Sequence, residues 1–174
     1  GSSANLLMIA SLYYSKDYDL KKGDEVIVPA VSWSTTYYPV TQYGLKLIFV
    51  DIDRNTLNID PKEVIKAINS KTKLIFAVNL LGNPCDLDDL KSICKKNNIV
   101  LIEDNCESLG AKYHNDYTGT YGAMGSFSFF FSHHMQTMEG GMILTNDKKL
   151  YELCVSLRAH GWIRDLPNNN SIEN

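Results

Sequence analysis

Apolar residues in this chain fall into two kinds of stretch that alternate along its length. Short runs with almost no polar interruption occupy residues 25–29 (EVIVP), 45–51 (LKLIFVD), 73–79 (KLIFAVN) and 99–104 (IVLIED). A strand covered on both faces reads this way, since neither side of its pleat meets water, and such strands belong to parallel sheets. Two further strands are predicted over 126–131 (SFSFFF) and 141–145 (GMILT). Between the runs, helices are predicted over 4–14, 34–43, 61–69, 86–97 and 148–159. Pro61 directly after Asp60 is a helix start signal. Asp86 is a candidate N-cap for a helix whose Leu87, Leu90, Ile93 and Cys94 share one face. Leu150, Leu153, Cys154 and Leu157 form a similar stripe.

Strand and helix in repeated alternation predict an α/β fold, a three-layer α/β/α sandwich around a mostly parallel mixed sheet. Only the tail, 166–174 (LPNNNSIEN), turns polar and loop-like. The chain opens on Gly1 and not on Met, and its last residues close no element, so a partial chain is expected.

Composition narrows the functional classes. With 44% hydrophobic and 21% charged residues the chain can build a core and is not disordered. A net charge of −3 argues against nucleic acid as a partner. No apolar run approaches the roughly 18 residues a membrane span requires, and none is expected. The cysteines Cys85, Cys94, Cys106 and Cys154 form no C-x-x-C pair, which suggests reduced thiols in a cytoplasmic protein.

In an open α/β sheet, ligands bind beyond the carboxyl ends of the strands, and the residues of interest cluster at such ends. Asp104 ends the fourth apolar run; it either caps the following turn or faces a cation, and a buried acid needs one or the other. His133 and His134 follow the aromatic run and precede a Glu139-Gly140-Gly141 turn. They are either surface residues or a proton-transfer site; zinc-site spacing is lacking, so no metal is expected. Gly1 and Ser2, leading straight into a helix, form either a simple helix start or a phosphate cradle. Trp33, on a Ser/Thr-rich loop, is either core or a stacking surface for a planar ring.

Taken together, GDEVIVPAVSWSTT, FVDIDRNTLNID, LIEDNCESLGA, GTYGAMGSFSFF, EGGMILTND and LRAHGW resemble the DegT-type family of pyridoxal-phosphate (PLP)-dependent sugar aminotransferases. The resemblance covers nearly the whole chain but only about half of a typical member. It implies the large domain of a fold type I PLP enzyme over 1–165, with 166–174 beginning a continuation and both an N-terminal segment and a C-terminal small domain lying outside the chain. Counting back from Glu139-Gly140 sets His133 in the slot where the family's aminotransferases carry their Schiff-base lysine, and Glu107 stands where they usually carry Gln. Both departures resemble the family's sugar 3-dehydratases. The resemblance then implies PLP or pyridoxamine phosphate held without a covalent bond by Gly1, Ser2, Trp33, Asp104, Glu107 and Ser128, with His133 catalytic. It implies L-glutamate as amino donor and a nucleotide-linked 4-keto-6-deoxy sugar as substrate, GDP-linked favoured, losing its C3 hydroxyl in dideoxysugar and O-antigen biosynthesis. His160 and Arg164 would contact substrate or glutamate, and the full-length protein would be a homodimer.

Three other readings stay open. The iron–sulfur 3-dehydratase acting on CDP-4-keto-6-deoxyglucose also has histidine in the lysine slot; Cys106 matches one of its ligands, but no C-x-C follows LRAHGW. A 4-aminotransferase would need a displaced lysine, and Lys112 and Lys148 are misplaced for it. An inactive family member would have no use for Asp104, Ser128 and Trp33 together.

Overall fold

The computed structural model describes residues 1–172, which contain eight strands and five α-helices, alternating as far as the fourth strand. The strands are β1 (Glu25–Pro29), β2 (Lys46–Val50), β3 (Thr72–Val78), β4 (Val100–Asp104), β5 (Lys112–Tyr113), β6 (Asp116–Tyr117), β7 (Met124–Ser128) and β8 (Gly141–Leu144). The helices are α1 (Ser2–Tyr14), α2 (Ser34–Gln42), α3 (Pro61–Ala67), α4 (Leu87–Asn97) and α5 (Lys148–Arg158). Six strands form one sheet in the order β2-β1-β3-β4-β7-β8, parallel throughout except for antiparallel β8.

Side chains alternate between the two faces of this sheet, and both faces are apolar. Val26, Val28, Leu74, Phe76, Ile102 and Met124 pack with Met8, Ile9 and Leu12 of α1, Val40 of α2 and Leu150 of α5. Ile27, Ile75, Ala77 and Leu101 face the other way, against Val64 of α3 and Leu87, Leu90 and Ile93 of α4. This is the three-layer sandwich, and it explains why the strand runs lack polar alternation. At about 25 cal/mol per Å² of apolar surface, such double coverage dominates the stability of the sheet.

Local signals explain the helix ends. Asp86 accepts the Asp89 N–H, Asp88 and Asp89 fill the first turn, Lys95 and Lys96 the last, and Asn98 stops α4 in the left-handed region at φ 53°. Asp60 accepts the Lys62 N–H ahead of α3, and Asp147 accepts the Lys149 and Leu150 N–H groups ahead of α5.

Several boundaries differ from expectation. The strand predicted over 126–131 runs from Met124 to Ser128, because Phe129 and Phe131 turn their N–H groups to Gly140 and Met138 and the chain leaves the sheet. α3 stops at Ala67, where the Ile68 N–H closes the last turn on Val64. α1 begins at Ser2, two residues earlier than predicted. The short β5–β6 hairpin was not foreseen, since two-residue strands carry no readable period. Among the described residues no helix is long and apolar enough to cross a membrane.

In register, Val78 of β3 lies beside Asp104 of β4, which lies beside Ser126 of β7. Three adjacent strands thus end nearly abreast, and the loops that follow share one edge of the sheet.

Candidate active site

Asp104 ends β4 with only 4% of its surface exposed. Its Oδ2 accepts hydrogen bonds from Asn5 Nδ2 and Thr36 Oγ1, both at 2.8 Å, and its Oδ1 accepts the Cys106 N–H at 3.0 Å. Among the described residues it makes no ion pair with Lys, Arg or His. Burying a bare carboxylate costs several kcal/mol, and neutral donors offset only part of that cost. A cation arriving here meets a carboxylate already stripped of water and fixed in place.

The Gly1 nitrogen donates to Ser128 Oγ at 3.1 Å and to the Gly140 carbonyl at 3.0 Å. A Cβ on Gly1 would sit 2.6 Å from Cys106 Sγ and 2.9 Å from Ser128 Cβ, so the close approach of α1 to β7 requires glycine. Gly1 caps α1 with no side-chain hydrogen bond, and Ser2 and Ser3 are exposed in the first turn. The uncapped N–H groups and the positive end of the helix therefore open on the same edge as Asp104. A group with a cationic ring nitrogen at one end and an anion at the other fits this pairing of Asp104 with the Gly1–Ser2 turn.

A second cluster lies beside it. His133, His134, Ser132, Glu107 and Leu81 line an open hollow of about 440 Å³ that holds no lysine. Glu107 is anchored by the Leu81 N–H, which donates to Oε2 at 2.9 Å. Leu81, 72% exposed, adopts the left-handed region at φ 53°, a conformation costing a leucine about 1–2 kcal/mol. Strain of this kind gathers at sites that must present a backbone group. The His133 N–H is tied to the Phe130 carbonyl at 3.0 Å, and its ring meets that of Phe130 edge-on with centroids 6.5 Å apart.

Trp33 is not core: it is 74% exposed at the N-cap of α2, three residues before Thr36. His160 and Arg164 lie in the turn after α5, around Trp162; the Arg164 guanidinium sits 4.4 Å over the indole and the His160 ring meets it edge-on. Neither lines the hollow of His133. Gly1, Ser128 and Asp104 thus come together around Cys106, and Glu107 joins His133. Burial and the neighbouring Asp104 push the Cys106 thiol well above the ordinary range, which keeps it protonated.

Sequence reasoning missed Asn5, Thr36 and Leu81. Asn5 had a readable signal, a polar residue among the apolar positions of α1; Thr36 and Leu81 had none.

Fold and site together define an α/β/α ligand-binding domain with an anion-ready helix start and a buried acid at its carboxyl edge. The chain belongs to the DegT/DnrJ/EryC1/StrS aminotransferase family, whose model matches residues 1–172. It is 57% identical over 172 residues to a GDP-4-keto-6-deoxy-D-mannose 3-dehydratase of Escherichia coli O55:H7, and 58% identical to one of Yersinia pseudotuberculosis. Each match covers 99% of this chain and 44% of the relative, so the chain spans somewhat under half the length of these proteins. A crystal structure of GDP-4-keto-6-deoxymannose-3-dehydratase with a trapped PLP-glutamate geminal diamine superposes with a TM-score of 0.95 at 56% identity, over 98% of this chain and 44% of that one. Among more distant relatives, GDP-perosamine synthase of Escherichia coli O157:H7 is 39% identical over 142 residues, 82% of this chain and 39% of that protein.

Proposed function

We propose that this chain is the cofactor-binding part of a PLP-dependent nucleotide-sugar 3-dehydratase. Its substrate would be a GDP-linked 4-keto-6-deoxyhexose, with L-glutamate as amino donor, in cytoplasmic dideoxysugar and O-antigen biosynthesis. The carrying observation is the hollow lined by both His133 and Glu107, with no lysine on its lining. PLP, once bound, supplies an electron sink and, in its amine form, a nitrogen for transient condensation with the sugar's C4 ketone.

Gly1, Ser2 and Ser128 would hold the phosphate through the open turn of α1. Asp104 would keep the ring nitrogen protonated, Trp33 would offer its exposed indole for stacking, and Glu107 would meet the ring-hydroxyl side. His133 would take a proton and deliver one to the departing C3 hydroxyl, a role worth roughly 10²–10⁴ in rate. An imidazole cannot bond covalently to the cofactor as a lysine does, so the lysine-dependent release of an amino sugar would not be available, and water and ammonia would be lost with no amine left on the sugar. His160 and Arg164 would present donors to glutamate or substrate carboxylates and phosphates. Residues 1–165 would form the PLP-binding large domain of a longer chain, with 166–174 leading onward. Trp33, Leu81, Phe131, Met135 and Met138 are exposed around the site, a surface for the rest of the longer chain or for the second subunit of a homodimer to cover.

The test uses the full-length protein with PLP, glutamate and GDP-4-keto-6-deoxymannose. Ammonia and a 3-deoxygenated product are expected, and borohydride should attach no pyridoxyl group to any lysine. A 4-amino sugar, or a pyridoxyl-lysine, overturns the proposal.

A further inference from the structure

Asp104 is gripped by side chains from two helices far from it in sequence. Asn5 of α1 and Thr36 of α2 both donate to Oδ2. Behind each stands a second hydroxyl. Ser126 of β7 donates to Asn5 Oδ1 at 2.6 Å, and Ser32 Oγ lies 3.0 Å from Thr36 Oγ1. The single proton of the Thr36 hydroxyl is committed to Asp104, so Ser32 must be the donor in its pair. The Asn5 amide is likewise held one way round, since the reverse orientation would set its oxygen against the carboxylate.

Two hydrogen-bond chains therefore converge, Ser32 to Thr36 to Asp104 and Ser126 to Asn5 to Asp104, with every proton pointing toward the acid. Asn5, Thr36 and Ser126 are fully buried. Chains aligned in this way polarise one another, and at the low dielectric of a buried site each link strengthens the next. They also lock the rotation of the carboxylate, which a single donor would leave free. A core that merely needed filling would place apolar side chains here, as the same sheet face does at Val28, Phe76 and Ile102.

We propose that Asn5 and Thr36, backed by Ser126 and Ser32, are positioning residues that fix the Asp104 carboxylate in the one orientation in which it meets the ring nitrogen of the cofactor. Ser32 adjoins Trp33, so the same chain ties the stacking loop to the acid. This rests on the PLP-dependent reading above.

The experiment uses full-length protein loaded with PLP carrying ¹⁵N in the ring. Thr36→Val keeps the shape and removes the donor; Thr36→Ser keeps the donor. With Thr36→Val, the PLP dissociation constant should rise about ten-fold, kcat should fall while KM for the sugar stays near wild type, and the ring ¹⁵N resonance should move toward that of an unprotonated nitrogen. Thr36→Ser should restore all three. Asn5→Ala should act in the same direction, and thermal unfolding reports whether it folds; Thr36→Val decides the matter if it does not. Wild-type affinity and an unmoved resonance in Thr36→Val, with only a lowered melting temperature, overturn the positioning role alone. A wild-type protein that takes up no PLP overturns this proposal together with the functional reading beneath it.

Discussion

Glu103 and Asp104 are neighbours on one strand, both almost wholly buried, and the chain treats them in opposite ways. Glu103 points to the face of α3 and α4, where Oε1 accepts the Tyr121 and Gly122 N–H groups at 2.8 Å and Oε2 accepts the Gly119 N–H at 2.8 Å and Asn79 Nδ2 at 3.2 Å. Three of its four donors are backbone. The acid organises the loop leading into β7, and its acceptor sites are filled. Asp104 points to the face of α1 and α2 at the carboxyl edge, where two of its three donors are side chains. A carboxylate saturated by its own backbone stabilises a loop. One held by side chains at a sheet edge is held for something else.

The largest effect should come from breaking the first of the pair. Glu103→Ala takes the acceptor from the Gly119, Tyr121 and Gly122 N–H groups and from one proton of the Asn79 amide, each worth about 1–3 kcal/mol where buried, and not all are lost at once because the loop can relax. Stability of the full-length protein should fall by about 4 kcal/mol, measured by urea unfolding. An unchanged midpoint would show that the loop 118–122 holds itself. Asp104→Ala should do the reverse: the donors it orphans are offset by removing a buried carboxylate that has no cation beside it, so unfolding of the cofactor-free protein moves little, while PLP affinity drops about a hundred-fold, in line with removing one partner of a buried charge pair. Equal losses of stability in the two variants would erase the distinction.

The smallest effect is read at Cys106, whose thiol is held protonated first by burial and then by the Asp104 charge. Raising the pH should bring on its alkylation only far above the range of an exposed thiol. Asp104→Asn removes the charge but not the burial, so the onset should move only modestly toward lower pH, followed as iodoacetamide labelling against pH. A large move would mean that charge, not burial, sets this thiol.

Much of the architecture was legible because burial on both faces erases polar alternation: the runs at 25–29, 73–79 and 99–104 could be little else than interior parallel strands. Asp104 was legible as well, being an acid at the end of such a run, and so was Gly1, a glycine opening a helix. Leu81 was not. Nothing in NLLGNP marks a leucine held at positive φ whose N–H anchors Glu107, since the bonds there reach residues more than twenty positions away, Leu80 N–H to Asn58 Oδ1 and Leu81 N–H to Glu107 Oε2. The sequence set His133 apart from His134 by counting back from Glu139-Gly140; both line the hollow, but His133 is half-buried against Phe130 while His134 is exposed.

The order of apolar and polar residues determined the layers, the parallel sheet and the edge on which a ligand must bind, because the hydrophobic effect acts on each residue with little regard to its distant neighbours. Which of two adjacent acids is spent on the fold and which is kept for chemistry was decided only by tertiary structure. A hydrogen bond depends on a few tenths of an ångström between groups such as Asn5 and Asp104, 99 residues apart, and no local pattern in the chain records that distance.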